Sequence, residues 1–147
     1  MSDEGVVNGL LGSIPRGEEI RDPREGFHSD VVIGESELVQ NSTGSWAIVT
    51  NYNSMTDVNG RMFELKERYN IPASDSDDVV KRIFLDVLHS LGIVDRSDRR
   101  SVHAETDEQR EGVAAAFQSV QGNNVNLKIA ADKSGYVHGR IVRGKAK

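Results

Sequence analysis

Cysteine is absent from the 147 residues, so neither a disulfide nor a thiolate metal site can hold this chain together. No apolar run reaches the length of a membrane span, and the opening MSDEG has neither the basic nor the apolar region of a signal peptide. A soluble, cytoplasmic protein is the expectation. An excess of positive charge is also missing. The formal net charge of −5 argues against indiscriminate attraction to nucleic acid, although a local basic groove remains compatible with it, because phosphate contacts depend on where the cations sit. With no staples, a chain of this length still has enough residues to bury a core as one domain.

What is present divides by period. Residues 1–26 mix glycine, proline and charge around one short apolar cluster, Leu10, Leu11 and Ile14, and read as an N-terminal arm, poorly structured or docked through that cluster. Residues 27–147 read as the folded domain. FHSDVVIGESELVQ is a long strand with Gly34 as a bend or bulge. NSTGS is a turn, WAIVTNYNSM a β-branched and aromatic strand, and RMFELKERY, after Asn59-Gly60, a third strand of alternating charged and apolar residues. The period then lengthens. Val80, Ile83, Phe84, Val87, Leu88 and Leu91 recur at helical spacing, with Ser74 or Ser76 as cap and Gly92 as stop. TDEQREGVAAAFQSVQG suggests a second, shorter helix opened by a capping box of Thr106 and Gln109 and ended at Gly122. NNVNLKIAAD, a turn at Lys133-Ser134-Gly135, and YVHGRIVR form a closing hairpin. This order predicts a mainly β fold with inserted helices: a five-stranded OB-type barrel with its helix between strands 3 and 4.

One turn decides which side chains share a face. A two-residue turn at Asn59-Gly60 places Phe63, Leu65 and Tyr69 with Trp46, Ile48 and Tyr52, and Lys66 and Arg68 opposite them. A three-residue loop makes Asp57 face Arg61, gives Asp57 the first position of a type I turn and gives Gly60 the left-handed position. That register groups Phe63, Leu65 and Tyr69 with Ala47, Val49 and Met55, and leaves Trp46 and Tyr52 on an open face beside Lys66 and Arg68. Rings interleaved with cations suit single strands, since bases stack at ~1–3 kcal/mol each while Lys and Arg neutralise phosphates. The three-residue loop is preferred because Asp57 has a role in it.

Those elements also resemble a phage family of OB-fold single-stranded-DNA-binding proteins, from about residue 27 to 143. The resemblance rests on WAIVTNY, NGRMFELKERYNIP, LHSLGIV and VQGNNVNLKIAADKSGYVHGRIV, and within them on Gly60-Arg61, Leu91-Gly92-Ile93 and the steps from Gly122 to Val125. It implies binding with little sequence preference in phage replication or recombination, in the host cytoplasm, with no catalytic residue. The basic end, RIVRGKAK, differs from the acidic tails by which such binders often recruit partners. The expected contacts are Trp46 and Tyr52 as stacking platforms with Lys66 and Arg68 on phosphates, extended by Arg61, Lys128 and Arg140. No cofactor, metal, membrane or small-molecule substrate is implied; homo-oligomerisation is left open.

Two other readings compete. A β-rich structural or protein-interaction module fits a charge of −5 comfortably. A metal-dependent nuclease needs carboxylates and a lysine like Asp57, Glu64 and Lys66, but the preferred register points Asp57 and Glu64 to opposite faces. GRIVRGKA, residues 139–146, approaches a phosphate-binding loop, yet Ala146 replaces the required hydroxyl and no helix follows. His28, His89, His103 and His138 lack ligand spacing. The run DRSDRR, with Arg96, Arg99 and Arg100, is either a phosphate clamp or a solvated loop.

Overall fold

The computed structural model describes residues 21–142. Three hairpins in it are made from one local pattern, an Asn or Asp followed three residues later by a glycine. In each, the first residue's amide and carbonyl close the loop: Asn41 with Ser45 and Gly44, Asp57 with Arg61 and Gly60, Asp132 with Tyr136 and Gly135. The glycines sit at φ of 93°, 81° and 87°, a backbone region that other residues enter at a cost. The side chains of Asp57 and Asp132 each accept two further amides of their own loops, at 2.8–3.0 Å. The three-residue loop expected at residues 58–60 is therefore present, with Asp57 in its expected role.

These hairpins join β1 (Gly26–Gln40) to β2 (Trp46–Thr56), β2 to β3 (Met62–Asn70), and β4 (Asn124–Ala131) to β5 (Val137–Val142). Helices α1 (Asp78–Leu91) and α2 (Asp107–Gln118) lie between β3 and β4. The strands form one antiparallel sheet in the order β3-β2-β1-β4-β5. The protein is thus mainly β with both helices after the third strand. The sheet is open, because no ladder joins its edge strands β3 and β5.

The register departs from expectation at a bulge. Met55 pairs with Phe63, but Tyr52 pairs with Leu65, so Asn53 and Ser54 together oppose a single residue. Ser54 takes φ 68° to make the extra step. One inserted residue exchanges the two faces of everything beyond it. Trp46, Ile48, Thr50 and Tyr52 consequently join Leu65, Glu67 and Tyr69 on the inner face, while Lys66 and Arg68 face outward opposite Asn51 and Val49. A second bulge, between Ile33 and Ser36, contains Gly34. A Cβ there would lie 2.5 Å from the Asn53 amide nitrogen, so glycine is needed for the close approach.

The core joins Val31, Ile33, Ile48, Tyr52, Met55 and Leu65 of the first three strands to Leu127 and Ile129 of β4. A polar row crosses this interior. Ser36 and Thr50 share a buried hydroxyl–hydroxyl hydrogen bond of 2.9 Å, and Glu67 is the next residue along, paired with Thr50. Helix α1 begins at Asp77, not at Ser74 or Ser76: the Asp77 carboxylate accepts the Val80 amide, while Ser74 is held by Glu105 and Ser76 accepts the amide of Ala73. Gly92 ends the helix at φ 78°. The helix buries Phe84, Leu85, Leu88 and Leu91, each apolar side chain contributing roughly 1.5–3 kcal/mol. Ile83, expected on the buried face, stays 58% exposed, while Leu85 on the other flank of the helix is covered. Helix α2 has the expected capping box and ends at Gln118, short of Gly122. Its Phe117 stacks on Phe84 and lies against Tyr69, with centroids 6.1 Å apart in both cases. Of the N-terminal arm, Leu10, Leu11 and Ile14 lie outside the described residues. Within them, the Pro23 carbonyl accepts the Val58 amide, and Glu25 accepts the amide of Ala131.

Candidate nucleic-acid interface

Because the faces are exchanged, the two expected stacking rings are not platforms. Tyr52 is 0% exposed. Its hydroxyl lies 2.7 Å from that of Tyr69, and burial pushes both phenols above the ordinary tyrosine range. Trp46 opens β2 on the inner face and is half-buried against the core. The Arg110 guanidinium covers its ring, 4.8 Å from the centroid. Arg110 is itself fixed by Asp107 and by the Glu105 carbonyl. Neither ring shares a face with Lys66 or Arg68, and the ring-and-cation surface expected on β2 and β3 is absent.

The cations are assembled differently, by a seam. Glu67 points inward from β3, and its carboxylate accepts the Gly139 amide of β5 at 2.9 Å. Only 11% of the Glu67 side chain is exposed; burial raises its pKa, opposed by the Gly139 bond and by His138, whose Nδ1 is 3.8 Å away. Gly139 allows this approach, since a Cβ would meet Leu65 Cδ2 at 2.8 Å. One side chain thus bridges the two sheet edges where a backbone ladder is missing. Along each strand alternate residues face outward. The contact between Glu67 and Gly139 therefore sets exposed Lys66 and Arg68 on one lip of the seam and exposed His138 and Arg140 on the other. Lys128 is directly opposite Arg140 on β4. Phe27 follows on β1, paired with Lys128.

Four of the seven expected residues, Lys66, Arg68, Lys128 and Arg140, are thereby drawn towards one seam. Arg61 is not among them. It lies at the opposite end of β3, six residues from Glu67, or about 20 Å of extended strand. Arg68 also donates to the side-chain amide oxygen Oδ1 of Asn41 in the first hairpin loop. Neither Glu67 nor Gly139 is among the contact residues expected from the sequence. The only trace of either is a charged residue in phase with the apolar ones, Leu65 and Tyr69.

The nuclease constellation is not assembled. Asp57 spends its carboxylate on the turn amides, and Glu64 accepts from Asn51 at 3.0 Å. Among the described residues no three His, Asp or Glu side chains come together as metal ligands. His28 and His89 bond the carbonyls of Arg24 and Asp98, and His138 contacts Asp132. The described part of the 139–146 segment is β5, not a phosphate loop. No helix among the described residues is long and apolar enough to cross a membrane. No family model matches the chain, and no curated protein matches it.

Proposed function

We propose that this chain is a non-enzymatic binder of single-stranded DNA with little sequence preference, of the phage replication or recombination type that its sequence resembles. The observation that carries the reading is the convergence of Lys66, Arg68, Arg140 and Lys128 about the seam fastened by Glu67. The strand order supports it as well. The order β3-β2-β1-β4-β5, with β3 and β5 in contact at their edges, is the order an OB-type barrel would have, while the sheet itself is open. Phosphate neutralisation then contributes most of the affinity, and stacking on Trp46 and Tyr52 contributes none. The rival reading, a β-rich protein-interaction module, gains from the burial of those rings.

Anisotropy of labelled oligo-dT, titrated with the full chain over a range of salt, decides between them. Binding at low salt, lost steeply as salt rises and weaker for duplex of equal length, is the expected result. Replacing Lys66, Arg140 and Lys128 together by alanine lowers the slope of log K against log salt by about 2, at roughly 0.7 per phosphate contact on a single strand. Absence of binding at low salt leaves the interaction module.

A further inference from the structure

Three neighbouring cavities follow α1. The first, about 150 Å³, lies between the end of β3 and the helix, bordered by Arg68, Val80 and Ile83. The second, about 410 Å³, shares Tyr69, Ile83 and Val87 with it and adds Arg140 and Arg96. The third, about 330 Å³, shares Ser90, Arg96 and Ile141 with the second and ends at Asp30 and Asn124. Together they form one groove along the helix, which at fourteen residues is about 21 Å long.

The lining has a consistent chemistry. Its apolar part is Ile83, Val87 and Ile141, of which Ile83 is 58% exposed. Its charged part is three arginines, Arg68, Arg140 and Arg96, against the carboxylates of Asp86 and Asp30. Arg96 is placed by its loop. Asp95 caps Ser97 through both its amide and its hydroxyl, Asp98 pairs with Arg100, and the Asp98 carbonyl bonds His89 of α1. The acids of that loop are thereby engaged, the loop is tied to the helix, and Arg96 is left lining the groove. Arg99, three residues on, lines a fourth cavity with Arg82 and Leu85, on the other side of Asp86 and His89, which border both it and the second. Among the described residues neither Arg96 nor Arg140 has an ion-pair partner.

We infer that the single strand runs in this groove along α1, with bases against Ile83, Val87 and Ile141, and that Arg96 is a phosphate contact at its far end. The inference rests on the binder reading above and gives that reading a path. A strand of alternating phosphates and flat apolar bases is the occupant matched by cations spaced along an apolar floor. It also accounts for affinity without an exposed ring on β2.

The test uses the same oligo-dT titration on the full chain with Arg96→Ala, Ile83→Glu and, as control, Arg99→Ala, which removes the same charge from the same loop. Arg96 and Arg99 are both exposed and Ile83 is more than half exposed, so each variant keeps the core intact. Three- to tenfold weaker binding by Arg96→Ala with a salt slope lower by about 0.7, tenfold or weaker binding by Ile83→Glu, and little change for Arg99→Ala is the expected pattern. If the wild-type chain binds but Arg96→Ala matches Arg99→Ala and Ile83→Glu is neutral, the path is wrong while the binder reading stands. If the wild-type chain does not bind, both fall.

Discussion

Ser54 shows how much one residue decides. It holds φ 68° with a Cβ, a conformation costing about 1–2 kcal/mol, and in doing so it sends Tyr52 inside and Lys66 outside. Replacing it by glycine relieves that strain, partly offset by the greater freedom of glycine in the unfolded chain, about 0.5–1 kcal/mol. Ser54→Gly is expected to be neutral to about 1 kcal/mol stabilising in urea unfolding, and Ser54→Val to lose about 1–3 kcal/mol. Equal stability of the valine variant and the parent would mean that the bulge, and the register beyond it, is wrong. Nothing in TNYNSM announced this bulge. Serine is not a residue whose presence signals a left-handed step, and the alternation of the strand reads equally well in either phase.

At the scale of elements, the turns were legible and the faces beyond them were not. Asp57 and Gly60 marked a three-residue loop because the geometry that each satisfies is local, reached within five residues. The same pattern at Asn41–Gly44 and Asp132–Gly135 encodes the other two hairpins. Removing the Asp57 carboxylate frees two loop amides, so Asp57→Ala is expected to cost about 1–2 kcal/mol, and Asp57→Asn, which keeps the accepting oxygen, less than half of that. Chemical unfolding of the pair measures it; equal losses would show that the oxygen is not what holds the loop. Helix α1 was legible in extent and in its glycine stop. The cover on its two flanks was not, because Ile83 and Leu85 are equally apolar and only tertiary contacts leave the first exposed and the second buried. The exposed Ile83 is part of the apolar floor of the groove.

At the scale of the whole molecule, the order of strands and helices followed from the order of periods along the chain, whereas the seam depends on residues 72 positions apart that carry no shared signal. Glu67 gives the seam a pH dependence whose sign can be worked out. Burial raises its pKa above the ordinary 4.5, so the folded chain holds that proton more tightly than the unfolded chain does. Its contribution to stability is therefore fully present below the unfolded value and declines as pH rises through the folded one. The groups around it are Tyr52, Tyr69 and His138, the last also held by Asp132. Thermal melts of the parent and Glu67→Gln from pH 4 upward are expected to diverge in favour of glutamine above about pH 4.5, then run parallel. A constant difference across that range would remove the ionisation from the account. The covering of Trp46 by Arg110 has a practical corollary. The chain's lone indole is an optical gauge of whether α2 is seated on the sheet, so its emission follows unfolding and stays quiet when a ligand arrives elsewhere.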